Sequence, residues 1–215
     1  MRIVFLGPPG AGKGTQAVAL AAAKGVPHIS TGDILRTAIA RQTPTGLEAK
    51  GYMDKGDFVP FEIVLRMVRD RLQEPDAQKG WLLDGFPRNL EQGKAFEELL
   101  AELEQTLQKV IYFELTDEEV VRRLGGRRVC ETCGDIFHLE SSPPPAPEVC
   151  EKGECVIIQR TDDSEEAIRN RLRVYADETD PLVQHYRSHD ALTPIDASLP
   201  IEEVAKAVDG AVRDL

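Results

Sequence analysis

Residues 3–15 read Ile3-Val4-Phe5-Leu6-Gly7-Pro8-Pro9-Gly10-Ala11-Gly12-Lys13-Gly14-Thr15. An apolar run passes into a glycine-rich turn and then into the alanine-rich stretch Lys13–Lys24, so a buried strand leads through a tight turn into a helix. That order leaves several backbone N–H groups facing one concavity at a helix N-terminus, where a polyphosphate can sit. Gly7, Gly12 and Lys13 fit the spacing G-x-x-x-x-G-K, and the flanking strand and helix are the frame that separates a phosphate cradle from a chance match. The residue after Lys13 is Gly14, and the hydroxyl that would hold Mg²⁺ arrives one place later, at Thr15. A turn that only packs closely is the plainer reading, and Lys13 argues against it.

Outward from the cradle, the apolar runs Ile3–Leu6, Pro27–Ile29, Trp81–Leu83, Val110–Phe113 and Leu192–Ile195 alternate with the amphipathic stretches Lys13–Lys24, Phe61–Gln73, Asn89–Leu103, Asp117–Leu124 and Glu165–Thr179. This alternation predicts an α/β fold, a five-stranded parallel sheet covered by helices on both faces. Thr116-Asp117-Glu118-Glu119 and Asp163-Ser164-Glu165-Glu166 resemble capping boxes that satisfy free N–H groups at helix starts. Two stretches break the rhythm. Residues 30–59 carry Gly32, Gly46, Gly51 and Gly56 among short helical pieces with no strand, and residues 126–163 carry all four cysteines and the run Pro143-Pro144-Pro145-Ala146-Pro147, which stiffens a loop. The expected organisation is a P-loop NTPase-type core of residues 1–29, 60–125 and 164–215, a helical insert at 30–59 and a small β-rich insert at 126–163.

With 215 residues the chain can bury a core of its own. Its net charge of −11 argues against coating nucleic acid or an anionic membrane, both of which need a broad basic surface. Arginine supplies 17 of the 26 basic residues, which suits local, bidentate gripping of phosphate. There is no charged start followed by an apolar segment and no long apolar run, so a cytoplasmic protein without a membrane partner is expected. Cysteines clustered within 130–155 of such a chain favour a metal over disulfides.

Further residues turn this outline into a specific expectation. After the second strand stands Ser30-Thr31-Gly32-Asp33-Ile34-Leu35-Arg36; after the third, Asp84-Gly85-Phe86-Pro87-Arg88 with Gln92 one helical turn on; later come Arg123, Arg127, Arg160, Asp162-Asp163 and Arg171. With the cradle variant, this set resembles adenylate kinases in order and spacing from Arg2 to the C-terminus. The resemblance implies reversible, Mg²⁺-dependent transfer of the ATP γ-phosphoryl group to AMP, giving two ADP, by a monomer. It implies catalytic roles for Lys13, Arg88, Arg123, Arg160 and Arg171. ATP would be held by Gly10, Ala11, Gly12, Lys13, Gly14, Thr15, Arg123 and Arg127. AMP would be held by Thr31, Arg36, Val59, Gly85, Arg88, Gln92, Arg160 and Arg171, with Phe86 packing against the base pocket.

Asp84 ends a buried strand where open α/β sheets bind ligands, so its carboxylate is placed to hold Mg²⁺ through water, with Thr15 as a second candidate. Its alternative is a cap for the helix beginning near Asn89. The Gln92 amide can donate to adenine N1 and accept from the N6 amino group, a pattern that guanine reverses. Arg123 and Arg127, four apart, are expected on one face of a helix, with Arg122 and Arg128 as solvated neighbours. Asp162 and Asp163 would orient the arginines or close the lid, Asp163 serving alternatively as a helix cap.

Cys130-Glu131-Thr132-Cys133-Gly134 has the form of a zinc knuckle, and Cys150 with Cys155 is its partner pair. The resemblance points to a long lid with structural Zn²⁺ on these four cysteines. The last gap is longer than the family's usual two residues, so the place of Cys155 could fall to His138 or to a carboxylate such as Glu151. A metal-free or oxidised lid is the alternative. Residues 30–59 are expected to close on AMP and 126–163 on ATP, expelling water. Kinases of other nucleoside monophosphates share the cradle and an arginine clamp, and a nucleotide sensor without catalysis is the rival of a different class.

Overall fold

The computed structural model describes residues 1–55, 57–145, 149–150 and 153–215, with Val149 and Cys150 described through their backbone. Gly56, Ala146, Pro147, Glu151 and the side chain of Cys150, all used in the sequence reading, lie outside the described residues.

The chain starts with β1 (Arg2–Leu6), passes through the glycine-rich turn into α1 (Lys13–Lys24) and returns as β2 (His28–Ser30). The helices α2 (Thr31–Ala40), α3 (Pro44–Lys55) and α4 (Phe61–Leu72) precede β3 (Trp81–Asp84), α5 (Leu90–Glu102), β4 (Lys109–Glu114) and α6 (Asp117–Gly126). Short strands β5 (Arg127–Cys130), β6 (Ile136–His138), β7 (Val149–Cys150), β8 (Gly153–Glu154) and β9 (Ile157–Ile158) follow. A 3₁₀ turn (Thr161–Asp163) leads to α7 (Glu165–Val174), a π-helical turn (Tyr175–Thr179), α8 (Asp180–Ser188), β10 (Leu192–Asp196) and α9 (Ile201–Ala211).

The sheet runs β10-β4-β1-β3-β2, parallel throughout, which is the expected five-stranded α/β core. Strand periodicity sends Ile3 and Phe5 to one face and Val4 and Leu6 to the other. Ile3, Phe5, Leu82, Ile111 and Phe113 pack against Ala17 and Leu20 of α1 and Val204 and Val208 of α9. Val4, Leu6, Leu83 and Val110 pack against Phe96 and Leu99 of α5 and Leu182 of α8. Burial on both sides is why these strands read as unbroken apolar runs. Each large side chain so enclosed contributes roughly 1.5–3 kcal/mol.

Local chemistry sets the helix starts. Thr116 accepts from the Glu119 N–H at 3.4 Å and Ser164 from the Ala167 N–H at 3.3 Å. The cap of α7 is therefore Ser164, and Asp163 is buried in the preceding 3₁₀ turn. The helix expected over 165–179 is α-helical only to Val174; the π turn widens it, and Pro181 in the first turn then starts α8. α6 ends at Gly126, so Arg127 begins β5 and does not share a helix face with Arg123. Among the described residues, no helix is long and apolar enough to cross a membrane.

Candidate active site

A cleft of about 960 Å³ opens at the C-terminal ends of β1 and β3 and is lined by residues from the glycine-rich turn, α2, β3, α5, β6 and α7. The turn lies hard against β4: a Cβ on Gly7, whose φ is +141°, would sit 2.6 Å from the Phe113 carbonyl oxygen. Residues 10–15 all border the cleft. Lys13 folds back over the turn, its Nζ donating to the carbonyls of Gly7 at 2.7 Å and Pro8 at 2.8 Å. Burial lowers its pKa to about 8; Asp84 opposes the shift, while Arg88, Arg171 and Arg127 add to it.

Asp84 ends β3 inside this cleft, and Asn89 is the residue that caps α5, so Asp84 is not the cap. Its carboxylate accepts no hydrogen bond from any described residue, and the His28 ring lies beside it, with Nε2 3.8 Å from Oδ2. A hard carboxylate oxygen without a donor, beside the phosphate turn and Thr15, suits a hydrated Mg²⁺.

Opposite the turn, Thr31 Oγ1 donates to the Gly85 carbonyl at 2.9 Å, and Arg88 Nε donates to the same oxygen at 2.6 Å. Gly85 has φ +83°, and a Cβ there would lie 2.8 Å from Thr31 Oγ1, so a side chain would split this junction. The Arg88 guanidinium lies over the Phe58 ring at 5.2 Å, and the Arg88 carbonyl accepts from Thr179 Oγ1 at 2.7 Å. Gln92 Oε1 accepts from the Arg88 N–H at 2.8 Å, which orients the amide. Arg36 pairs with Asp33 at 2.5 Å, and Val59 borders the same side. Phe86 departs from expectation: it is fully buried, edge-on to Phe96 in the core at 5.5 Å, and forms no part of the cleft wall.

The arginines beyond α6 form a linked group. Asp163, fully buried, takes Nε and Nη2 of Arg127 at 2.7 and 2.6 Å and Nη1 of Arg171 at 3.2 Å. Arg171 also pairs with Asp162 at 3.0 Å. Burial, joined by nearby guanidinium charge, lowers the pKa of Arg88 and of Arg160 to about 10 and that of Arg171 as well. Positive charge concentrated in one cleft is the arrangement a polyphosphate relieves. Arg123 stands apart from this group. Its Nε donates to Glu119 at 2.7 Å and its Nη2 to the Ala197 carbonyl at 2.9 Å, at the end of the cleft bordered by residues 198–201. Arg122 is half-exposed and pairs with Glu119 and Glu140.

The Sγ atoms of Cys130, Cys133 and Cys155 lie within 4.8 Å of one another. The Cys130 and Cys155 sulfurs are 2.8 Å apart. Burial raises the Cys130 pKa, but the Cys155 thiol and the backbone and side chain of Cys133 outweigh it and bring it to about 6. A soft, closely spaced sulfur set fits a thiophilic ion. His138 is excluded from this cluster: its Nδ1 accepts from the N–H groups of Glu140 and Ser141 at 3.2 and 3.3 Å, and it borders the nucleotide cleft.

Several cleft residues carried no sequence signal. Phe58, Phe137, Thr179 and the Ser198–Ile201 segment reach the cleft only through tertiary placement. The aspartate pair after Arg160 is the one hint that guanidinium groups would need buried partners.

A phosphate turn after β1, a carboxylate at the end of β3 and partly buried arginines gathered around one cleft define a nucleotide-dependent phosphotransferase. A family model for adenylate kinase matches residues 5–191. The chain is 46% identical over 215 residues to an adenylate kinase of Archaeoglobus fulgidus, covering 100% of this chain and 99% of that protein. It is 50% identical over 210 residues to an adenylate kinase of Salinispora tropica, covering 97% of each. A third, from Carboxydothermus hydrogenoformans, is 47% identical over 213 residues, covering 99% of this chain and 100% of that protein. The chain belongs to the adenylate kinase family. It is a nucleoside monophosphate kinase that acts on ATP, AMP and ADP.

Proposed function

We propose that this activity is divided among the residues as follows. The N–H groups of residues 10–15 and Lys13 hold the donor polyphosphate, and Arg36 and Arg88 grip the AMP phosphate, Arg88 steadied by Phe58, Thr179 and Gly85. Gln92, its oxygen already engaged by Arg88, turns its amide nitrogen toward adenine N1, while Thr31 and the backbone near Val59 complete the base pocket. The phosphate oxygen of AMP attacks the γ-phosphorus in line as the bond to the ADP leaving oxygen breaks. Arg127, Arg160 and Arg171, with Arg88, offset charge on the equatorial oxygens. Asp162 and Asp163 keep Arg127 and Arg171 oriented between turnovers. Mg²⁺, bound with the nucleotide and held through water by Asp84 with Thr15 beside it, supplies charge neutralisation on the phosphates.

We assign Arg123 to the donor nucleotide, held by Glu119 at the base end of the cleft. Residues 30–59 close on AMP and 126–163 on ATP. Cys130, Cys133, Cys150 and Cys155 hold a structural Zn²⁺ that folds an insert too small for its own core. The protein works as a cytoplasmic monomer.

The observation that carries this reading is the convergence of Lys13, Arg88, Arg160 and Arg171 on the cleft that the glycine-rich turn and Asp84 also line. A coupled assay across AMP, GMP, UMP and CMP tests the base assignment. Wild type is expected to favour AMP strongly, and Gln92→Leu to raise KM for AMP about 10-fold or more. Equal KM values for AMP in the two proteins would overturn it.

A further inference from the structure

His28 and Asp84 face each other with complementary, unmet hydrogen-bonding capacity. Registry explains why: His28 pairs with Leu82 and Ser30 with Asp84 across two parallel strands, so His28 and Asp84 project from the same face of the sheet. Among the described residues, His28 Nε2 is buried without a hydrogen-bond partner, Asp84 Oδ2 lies 3.8 Å away, and the side chains are 17% and 13% exposed. Asp84 borders the cleft and His28 stands behind it, outside the cleft wall.

A buried ring nitrogen is costly to leave unpaired, the carboxylate beside it has acceptor capacity to spare, and a gap of 3.8 Å closes with a small side-chain rotation. We propose that His28 is a positioning residue for Asp84. In its Nε2–H tautomer it donates to one carboxylate oxygen and fixes the rotamer that turns the other oxygen toward the hydrated metal of the nucleotide. His28 touches neither nucleotide nor metal; it acts through Asp84, in the way that outer hydrogen-bond partners set the orientation of metal-binding groups. This inference rests on the proposed role of Asp84.

The test is the affinity of the enzyme–ATP complex for Mn²⁺, followed by electron paramagnetic resonance, beside steady-state kinetics. Asp84→Asn is expected to weaken Mn²⁺ binding, and His28→Leu to weaken it about tenfold. His28→Gln, whose amide nitrogen can donate from a similar place, should restore most of the affinity, and His28→Asn, which is too short, should not. In the Asp84→Asn background, His28→Leu should add nothing further, and KM for AMP should stay within about twofold in every His28 variant. The ¹⁵N shifts of His28 in the wild-type protein should report the Nε2–H tautomer. If Asp84→Asn weakens Mn²⁺ binding while His28→Leu and His28→Asn match wild type, the His28 inference falls and the Asp84 reading stands. If Asp84→Asn itself matches wild type, the Asp84 reading falls. Should His28→Leu fail to fold, His28→Asn against His28→Gln and the tautomer measurement decide alone.

Discussion

Replacing Asp163 by alanine is expected to destabilise the protein and slow it together. The wild-type carboxylate is fully buried and accepts two bonds from Arg127 and one from Arg171. Alanine removes every acceptor and leaves two mostly buried guanidinium groups facing each other, with side-chain exposures of 15% and 20%. Breaking a buried ion pair from one side costs about 3–5 kcal/mol. The neighbouring Asp162, already paired with Arg171 at 3.0 Å, offsets part of this, so the lower end applies. In a chain of this size about 3 kcal/mol lowers Tm by roughly 6–12 °C. Asp163→Asn keeps one acceptor oxygen and should lose less. Urea denaturation with the slope held constant measures the stability change, and the forward rate at saturating ATP and AMP measures the functional one. The rate should fall at least about tenfold, because Arg127 and Arg171 lose their common tether. A stability loss below about 1 kcal/mol, the value of an exposed pair, would refute the argument that Asp163 is the buried anchor of the two arginines.

Because burial holds the Lys13 pKa near 8, ATP affinity of the free enzyme should fall as pH rises through that value, and Lys13→Met should be flat across the same window, as equilibrium titration at fixed ionic strength will show. The sign for stability is opposite: between about pH 8 and the ordinary lysine value of 10.5 the unfolded chain holds more protons than the folded one, so this group's contribution to stability rises with pH there. Glu119→Gln, which weakens the grip on Arg123, is expected to raise KM for ATP several-fold with KM for AMP unchanged, since Glu119 accepts from Arg122 and from Arg123, the residue proposed to hold the donor nucleotide. Treatment with a mercurial thiol reagent should release about one equivalent of Zn²⁺ and lower Tm, read by mass spectrometry and calorimetry; release of no metal would overturn the knuckle assignment.

Much of this molecule is legible in its sequence. The apolar runs gave up their strands because burial on both faces removes the polar alternation that would blur them, and Thr116 announced its helix because the cap and the backbone are neighbours in sequence. The elements that escaped were those whose logic is nonlocal. α8 follows α7 through a π turn that no period announces, and α9 is amphipathic with buried Val204 and Val208 but begins without a side-chain cap. Asp163 resembled a helix cap, yet its partner Arg127 lies far away in sequence and only the folded chain joins them. Phe86 is drawn into the core by Phe96, which its position beside Arg88 did not reveal. His138 was an alternative to Cys155 as the fourth ligand, but the chain carries its ring to the cleft and not to the sulfurs.

The order of the sheet has a consequence for breathing motions. β1 and β3, which end in the phosphate turn and in Asp84, are interior strands, while β2 and β10 take the edges. Fraying begins at edges, so amides in the two interior strands should exchange with deuterated solvent only through the rarest openings of the molecule. The least yielding part of the protein thus lies directly beneath the place where phosphorus changes owners.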